Sequence, residues 1–287
     1  GAGREVVLMD NLDNSRPDVA DQVAAIAGAR PRLVVADVRD RAAVAAVLRA
    51  ERIDAVIHFA GRKSVADSVA DPLPYFDHNV GGSLALLAAM RDAGVRSVVF
   101  SSSAAVYAPG SATPAGEDAA LEPASPYGLT KRMVEEILAT MTAADPGWRI
   151  VALRYFNPVG AHESGRLGEQ PAVVPSNLMP IVLEAATGRR PEVQVYGGDY
   201  DTVDGTAVRD YIHVMDLAEA HLGAGDRRAH RADLHAERRP GHRAVGLGES
   251  VDLGQFDAEA AEEPQDLERD RRGAADRHPA RVEAEHP

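Results

Sequence analysis

Short β-branched runs alternate with helical patterns along this chain, and that alternation constrains its fold more than any other feature. Candidate strands are Val6 to Met9, Leu33 to Ala36, Ala55 to Phe59, Ser97 to Ser102 and Ile150 to Arg154. Between them, Arg41 to Ala50, Asn79 to Arg91 and Tyr127 to Thr142 carry apolar residues at helical spacing. Such an order builds βαβ units and a parallel sheet. From Pro158 to Tyr200 proline and glycine become frequent, with one clear helix near Asn177 to Thr187, as expected at the start of a smaller second unit.

Composition narrows the chemistry. A net charge of −13 argues against nucleic acid and against an anionic membrane surface as partners. No run of 18 apolar residues and no signal-peptide pattern occur, so a soluble, cytoplasmic protein is expected. The chain has no cysteine, which excludes disulfides, thiolate catalysis and Cys-ligated metals. Its ten histidines form no H-E-x-x-H pair; His58 and His213 sit in apolar strand patterns and read as packed or hydrogen-bonded side chains. No metal is expected.

Two segments carry the reactive side chains: Ser101-Ser102-Ser103-Ala104-Ala105-Val106-Tyr107 and Ser125-Pro126-Tyr127-Gly128-Leu129-Thr130-Lys131. The second reads as a helix start, with Ser125 as N-cap and Pro126 in the first turn. Tyr127 and Lys131 are four apart and share one helix face. A phenol is a poor base at its ordinary pKa of about 10, but an ammonium and a helix N-terminus beside it favour the phenolate. Ser103 could pass a proton between a substrate hydroxyl and that phenolate. Asp10 ends a strand where a dinucleotide-binding fold needs an acceptor for ribose hydroxyls, and a carboxylate there favours NAD over NADP. Asp37 follows the next strand and suits either a cofactor contact or an N-cap. Phe59, Ala60 and Gly61 end a strand with small residues that let backbone approach a ligand.

These segments, together with His58 to Lys63, Asp77 to Val80, Leu153 to His162, Ser176 to Pro180 and Gly205 to Val214, resemble the UDP-glucose 4-epimerase family of the extended short-chain dehydrogenase/reductases. The resemblance runs in family order from the first residues to about His221. It implies a doubly wound, Rossmann-type parallel sheet holding NAD, with a smaller domain for a UDP-hexose. It assigns Ser103, Tyr127 and Lys131 to catalysis. It assigns Asp10, Asn11, Asp37, Val38, Phe59, Ala60, Gly61, Lys63, Asn79, Tyr127, Lys131 and Phe156 to NAD. Ser103, Asn157, Asn177, Leu178 and Arg209 fall to the nucleotide sugar. The reaction implied is inversion at C4 through a transient 4-keto sugar. Another nucleotide-sugar epimerase, a 4,6-dehydratase and a catalytically dead remnant are the alternatives. A dehydratase needs an added acid–base pair directly after Ser103, where this chain has Ala104 and Ala105. A homodimer is implied through the helices Asn79 to Arg91 and Tyr127 to Thr142, the first offering Leu84, Leu87 and Met90 as an apolar stripe.

Both ends depart from the family pattern. The family opens with a strand and a Gly-rich turn that cradles pyrophosphate. Gly1-Ala2-Gly3 does not supply that turn, because the strand Glu5 to Met9 follows at once. The chain starts at Gly, as a truncated sequence would. A sheet lacking its first strand is therefore expected, with NAD binding weakened by about 10³ to 10⁶, the worth of roughly three charge-assisted hydrogen bonds. From Leu222 to Pro287 there are 11 Arg, no Lys, 15 Asp plus Glu and nine large apolar residues. Those nine follow no period, so disorder or a shifted reading frame is expected there. The expected divisions are 1–157 for the NAD-binding domain, 158–222 for an incomplete substrate region and 223–287 for the tail.

Overall fold

A computed structural model of the chain describes residues 4–111, 115–169, 177–195 and 197–226. Its elements alternate as the sequence pattern requires. They begin β1 (Val7–Asp10), α1 (Val19–Ala27), β2 (Arg32–Val35), α2 (Arg41–Ala50) and β3 (Val56–His58). Two short helices follow, α3 (Val65–Ala70) and α4 (Leu73–Tyr75), then a π-helix over Phe76–Gly81 that runs into α5 (Gly82–Ala93). Next come β4 (Ser97–Ser101), a 3₁₀ turn at Ala104–Val106, α6 (Pro126–Ala144) and β5 (Arg149–Leu153). The last elements are β6 (Asn157–Val159), α7 (Leu178–Ala186), β7 (Tyr211–His213) and α8 (Val214–Asp226).

All ladders are parallel. β1 pairs with β2 from Val7–Arg32 to Asp10–Val35, and β4 lies between β3 and β5, with His58 opposite Phe100 and Ser101 opposite Leu153. Among the described residues no ladder joins β1 to β3, so the main sheet is in two pieces. Packing joins them instead. Met9 of β1 reaches the same core as Val56 of β3, among Val44 and Leu48 of α2, Leu86, Leu87 and Met90 of α5, and Val134 and Leu138 of α6. Every residue of β4 is buried, as the central strand of a two-faced sheet must be. β6 and β7 form a separate parallel pair. α8 then packs back on β4 and β5, and it runs through Asp226, past the division placed at 222. The rest of the expected tail, and Gly1 to Gly3, lie outside the described residues.

Local chemistry explains the helix starts. Asp40 caps α2 by accepting from Ala43 N, and Ser125 caps α6 by accepting from Gly128 N at 3.1 Å. Two expectations need correction. The segment from Asn79 does not start as α-helix but lies in the π turn, where Ser83 Oγ donates to Asn79 O at 2.5 Å. The stripe of Leu84, Leu87 and Met90 is largely internal: Leu87 and Met90 fill the chain's own core, and only Leu84 is exposed, at 49%. No helix among the described residues is long and apolar enough to cross a membrane.

Candidate active site

Three consecutive serines at the end of β4 meet three positions of α6, one turn apart. Lys131 Nζ donates to Ser101 O at 2.8 Å, Ser102 Oγ donates to Glu135 Oε1, and the Ser103 hydroxyl lies close enough to the Tyr127 phenol to favour its ionised form. Helical period places Tyr127, Lys131 and Glu135 on one face, and the extended Ser101 to Ser103 runs alongside it. The close approach depends on Gly128. A methyl built there would run into the Ala105 carbonyl oxygen and meet Pro123 Cβ at 2.9 Å. Ser68 of α3 adds a further tie, accepting from Tyr127 N at 3.1 Å.

Burial dominates the electrostatics. The Tyr127 phenol is pushed up to about 12 by burial, opposed by the Ser103 hydrogen bond and reinforced by Tyr155 and Tyr75. Burial brings Lys131 down to about 8, opposed by the Glu135 carboxylate. The expected phenolate is thus not what the folded chain favours by itself, because the same burial that brings the ammonium close strips both groups of water. Lys131 Nζ lies 5.8 Å from the Tyr127 ring centroid and 5.0 Å from that of Phe100. Behind it, His58 is pushed down to about 3 by burial and then by Lys131. Its Nε2 pairs with Ser83 Oγ at 2.9 Å, a neutral hydrogen-bonded imidazole in a packed setting.

Asn79 reaches this site through the backbone. Its Oδ1 accepts from Arg62 N at 2.7 Å, and Nδ2 donates to Arg62 O and to Thr130 Oγ1, both at 3.0 Å. Thr130 Oγ1 donates in turn to Tyr127 O at 2.7 Å. The side chain assigned to NAD therefore spends its amide tying the β3 loop to α6. Gly61 is pressed against it, since a Cβ there would lie 2.8 Å from Asn79 Oδ1. Phe59, Ala60, Gly61 and Lys63 form an exposed run after β3.

A second cluster sits at the carboxyl ends of β1 and β2. Asp10 Oδ1 accepts from Leu12 N and Ser15 Oγ, each at 2.7 Å, while Oδ2 takes no hydrogen bond from the described residues. Asn11 donates to Asp37 at 3.4 Å, and Asp37 is clamped by Arg39 through Nε and Nη2, which holds its carboxyl well below the usual range. Val38 packs beside Gly82 at the start of α5. No hydrogen bond links this cluster to Tyr127.

The remaining residues lie further along. Phe156 packs on the core of Ala104, Val106 and Tyr107. Asn157 donates to Asp210 O at 3.1 Å across β6 and β7, Leu178 is exposed at the start of α7, and Arg209 Nη1 donates to Val208 O at 3.0 Å. Asn177 donates to Glu169 at 2.9 Å, and Glu169 also lies 3.6 Å from Lys63 Nζ. Glu169, which sequence reasoning passed over, thus joins a residue assigned to cofactor with one assigned to sugar. Glu135 was passed over too, although its place one turn beyond Lys131 was a readable signal. Among the described residues no group of three or more His, Asp or Glu could hold a metal ion.

The chain is 49% identical over 235 residues to a UDP-glucose 4-epimerase of Neisseria meningitidis, covering 82% of this chain and 69% of the relative. It is 50% identical over 226 residues to UDP-glucose 4-epimerase 4 of Oryza sativa, covering 78% and 61%. A UDP-glucose 4-epimerase of Stenotrophomonas maltophila, solved with bound NAD and formylated UDP-arabinopyranose, superposes with a TM-score of 0.76 at 52% identity, over 78% of this chain and 66% of that one. The Bifidobacterium longum enzyme, in complex with NAD+ and UDP, gives 0.74 at 49% identity, over 77% and 66%. With residues 1–233 matching its sequence pattern and a Ser103–Tyr127–Lys131 group on a parallel α/β frame, the chain belongs to the NAD dependent epimerase/dehydratase family.

Proposed function

We propose that this chain interconverts UDP-glucose and UDP-galactose by inversion at C4, with NAD as cofactor. The observation that carries the reading is the meeting of Tyr127 and the buried Lys131 on one face of α6 with the Ser101–Ser103 run at the end of β4, where Lys131 Nζ donates to Ser101 O. Ser103 holds the sugar's 4-oxygen, and Tyr127, ionised to the phenolate, takes the 4-hydroxyl proton directly or through Ser103 and returns it when C4 is reduced again. The Lys131 ammonium stabilises that phenolate against the burial that disfavours it.

The residues present suit NAD chemically. Asp10 Oδ2 is an acceptor for ribose hydroxyls, and the Gly61 backbone offers a surface from which any larger side chain is excluded. Bound NAD+ would take up the C4 hydride, return it to the opposite face of the 4-keto sugar, and place a positive charge near Tyr127. Arg209, Asn157, Asn177 and Leu178 are the proposed contacts to the nucleotide sugar. Elimination across C5 and C6 gets no support: Ala104 and Ala105 bear only methyl groups, and the Ala105 carbonyl is packed against Gly128. A homodimer through α5 and α6 and a cytoplasmic location belong to the same proposal; exposed Leu84 on α5 supports the first.

The test supplies UDP-galactose and NAD+ and follows the anomeric protons by NMR. Appearance of UDP-glucose is expected. No inversion, or formation of a 4-keto-6-deoxy sugar, would overturn the reading.

A further inference from the structure

Behind the reactive face lies a polar network that the proposed chemistry does not use. Glu135 and Arg154 form a largely buried pair, with 10% and 18% of their side chains exposed. Both carboxylate oxygens accept from Arg154, Oε2 from Nη2 at 2.7 Å and each from Nε at 3.1 Å. Oε1 also accepts from Ser102 Oγ. Arg154 Nη1 continues to Tyr107 OH at 3.1 Å and Glu117 O at 3.0 Å. One carboxylate therefore ties together the residue before Ser103, the residue after β5, and the helix that carries Tyr127 and Lys131.

We propose that Glu135 is a positioning residue: through Ser102 and Arg154 it fixes Ser103 against Tyr127, and from one turn along α6 it supplies the negative charge that keeps Lys131 protonated. The role rests on the function proposed above only for what Lys131 does in turnover. A desolvated ion pair is weak as a stability device, so its value here lies in geometry and charge. The groups facing Lys131 support this. Ser101 O accepts from its ammonium, Tyr127 and Glu135 flank it on α6, and His58 approaches from β3 as a neutral ring. Among the described residues Glu135 supplies the negative charge that opposes the burial bringing Lys131 to about 8.

Lys63 and Lys131 are the only lysines in the chain. Selective 13C-lysine labelling thus gives two ε-carbon signals, with exposed Lys63 as internal reference. In Glu135→Gln, which keeps the shape and the Ser102 contact, the Lys131 midpoint should fall by about one pH unit or more. The kcat at neutral pH should fall about tenfold or more, with KM changing less. Glu135→Gln also strands the Arg154 charge, so the double variant Glu135→Gln/Arg154→Met separates folding from function. It should regain thermal stability while the low Lys131 midpoint and the kcat loss persist. A Lys131 midpoint unchanged in Glu135→Gln, or wild-type kcat in the double variant, would overturn the role. If the wild-type chain shows no turnover, the function proposed above fails while the lysine titration still decides the matter for Glu135.

Discussion

Gly128→Ala sets two effects of opposite sign against each other. In an exposed helix the change stabilises by about 1 kcal/mol. Here the added methyl meets the Ala105 carbonyl oxygen and Pro123 Cβ, and neither is the free end of a flexible side chain. Opening those contacts to an ordinary separation moves the start of α6 by about 1 Å. Overpacking of that kind costs about 1–3 kcal/mol. The displacement also stretches the Ser125 cap, which accepts from Gly128 N, for about another 1 kcal/mol. The clash wins, and the variant should unfold about 1–3 kcal/mol more easily in urea. Because the same shift parts Tyr127 from Ser103, kcat should drop by up to about 10²-fold. A midpoint equal to or above wild type would show that α6 does not press on the turn after Ser103.

Tyr127→Phe should lower kcat by about 10² to 10⁴ with little change in KM, and a loss under about tenfold in steady-state assays would remove Tyr127 as the proton carrier. His58 titrates near 3 when folded against 6.5 ordinarily, so between these values the unfolded chain binds a proton that the folded chain refuses. Stability from this group is therefore lost as pH falls from 6.5 to 3, and His58→Gln should flatten that part of a urea-midpoint series. Equal pH slopes in both proteins would clear His58. Light scattering at micromolar concentration should report a dimeric mass, and a monomer would count against α5 and α6 as an interface.

The frame of the fold was legible because β-branched runs and caps act locally. The five candidate strands match β1 to β5 within one or two residues, and α2 spans the predicted Arg41 to Ala50. Ser125 and Pro126 announced α6 for the same reason. Elements that depend on distant partners were not legible. α3 is only six residues long and is fastened by Ser68 to Tyr127 N, across 59 positions of sequence. The π turn depends on Ser83 and on the partners that Asn79 finds in Arg62 and Thr130. For Asn79 the resemblance gives the residue but not the direction of its amide, which the assembled β3 loop and α6 set. The Tyr127 phenol was expected to be acidic because spacing reveals the neighbouring charge, whereas burial emerges only from the assembled core.

A π turn behaves as an α-helix carrying one residue more than it needs. Phe76–Gly81 should therefore be sensitive to length before it is sensitive to composition. Each residue turns an α-helix by about 100°. Deleting one residue between Phe76 and Gly81 would let the backbone close into regular α-helix, which it readily tolerates. The flanking turns would keep their phase, but the wide turn that carries Asn79 would be lost. Asn79 could then no longer meet both Arg62 and Thr130, and the β3 loop would lose its fastening to α6. Along these six residues the count is held as tightly as the identity of Asn79.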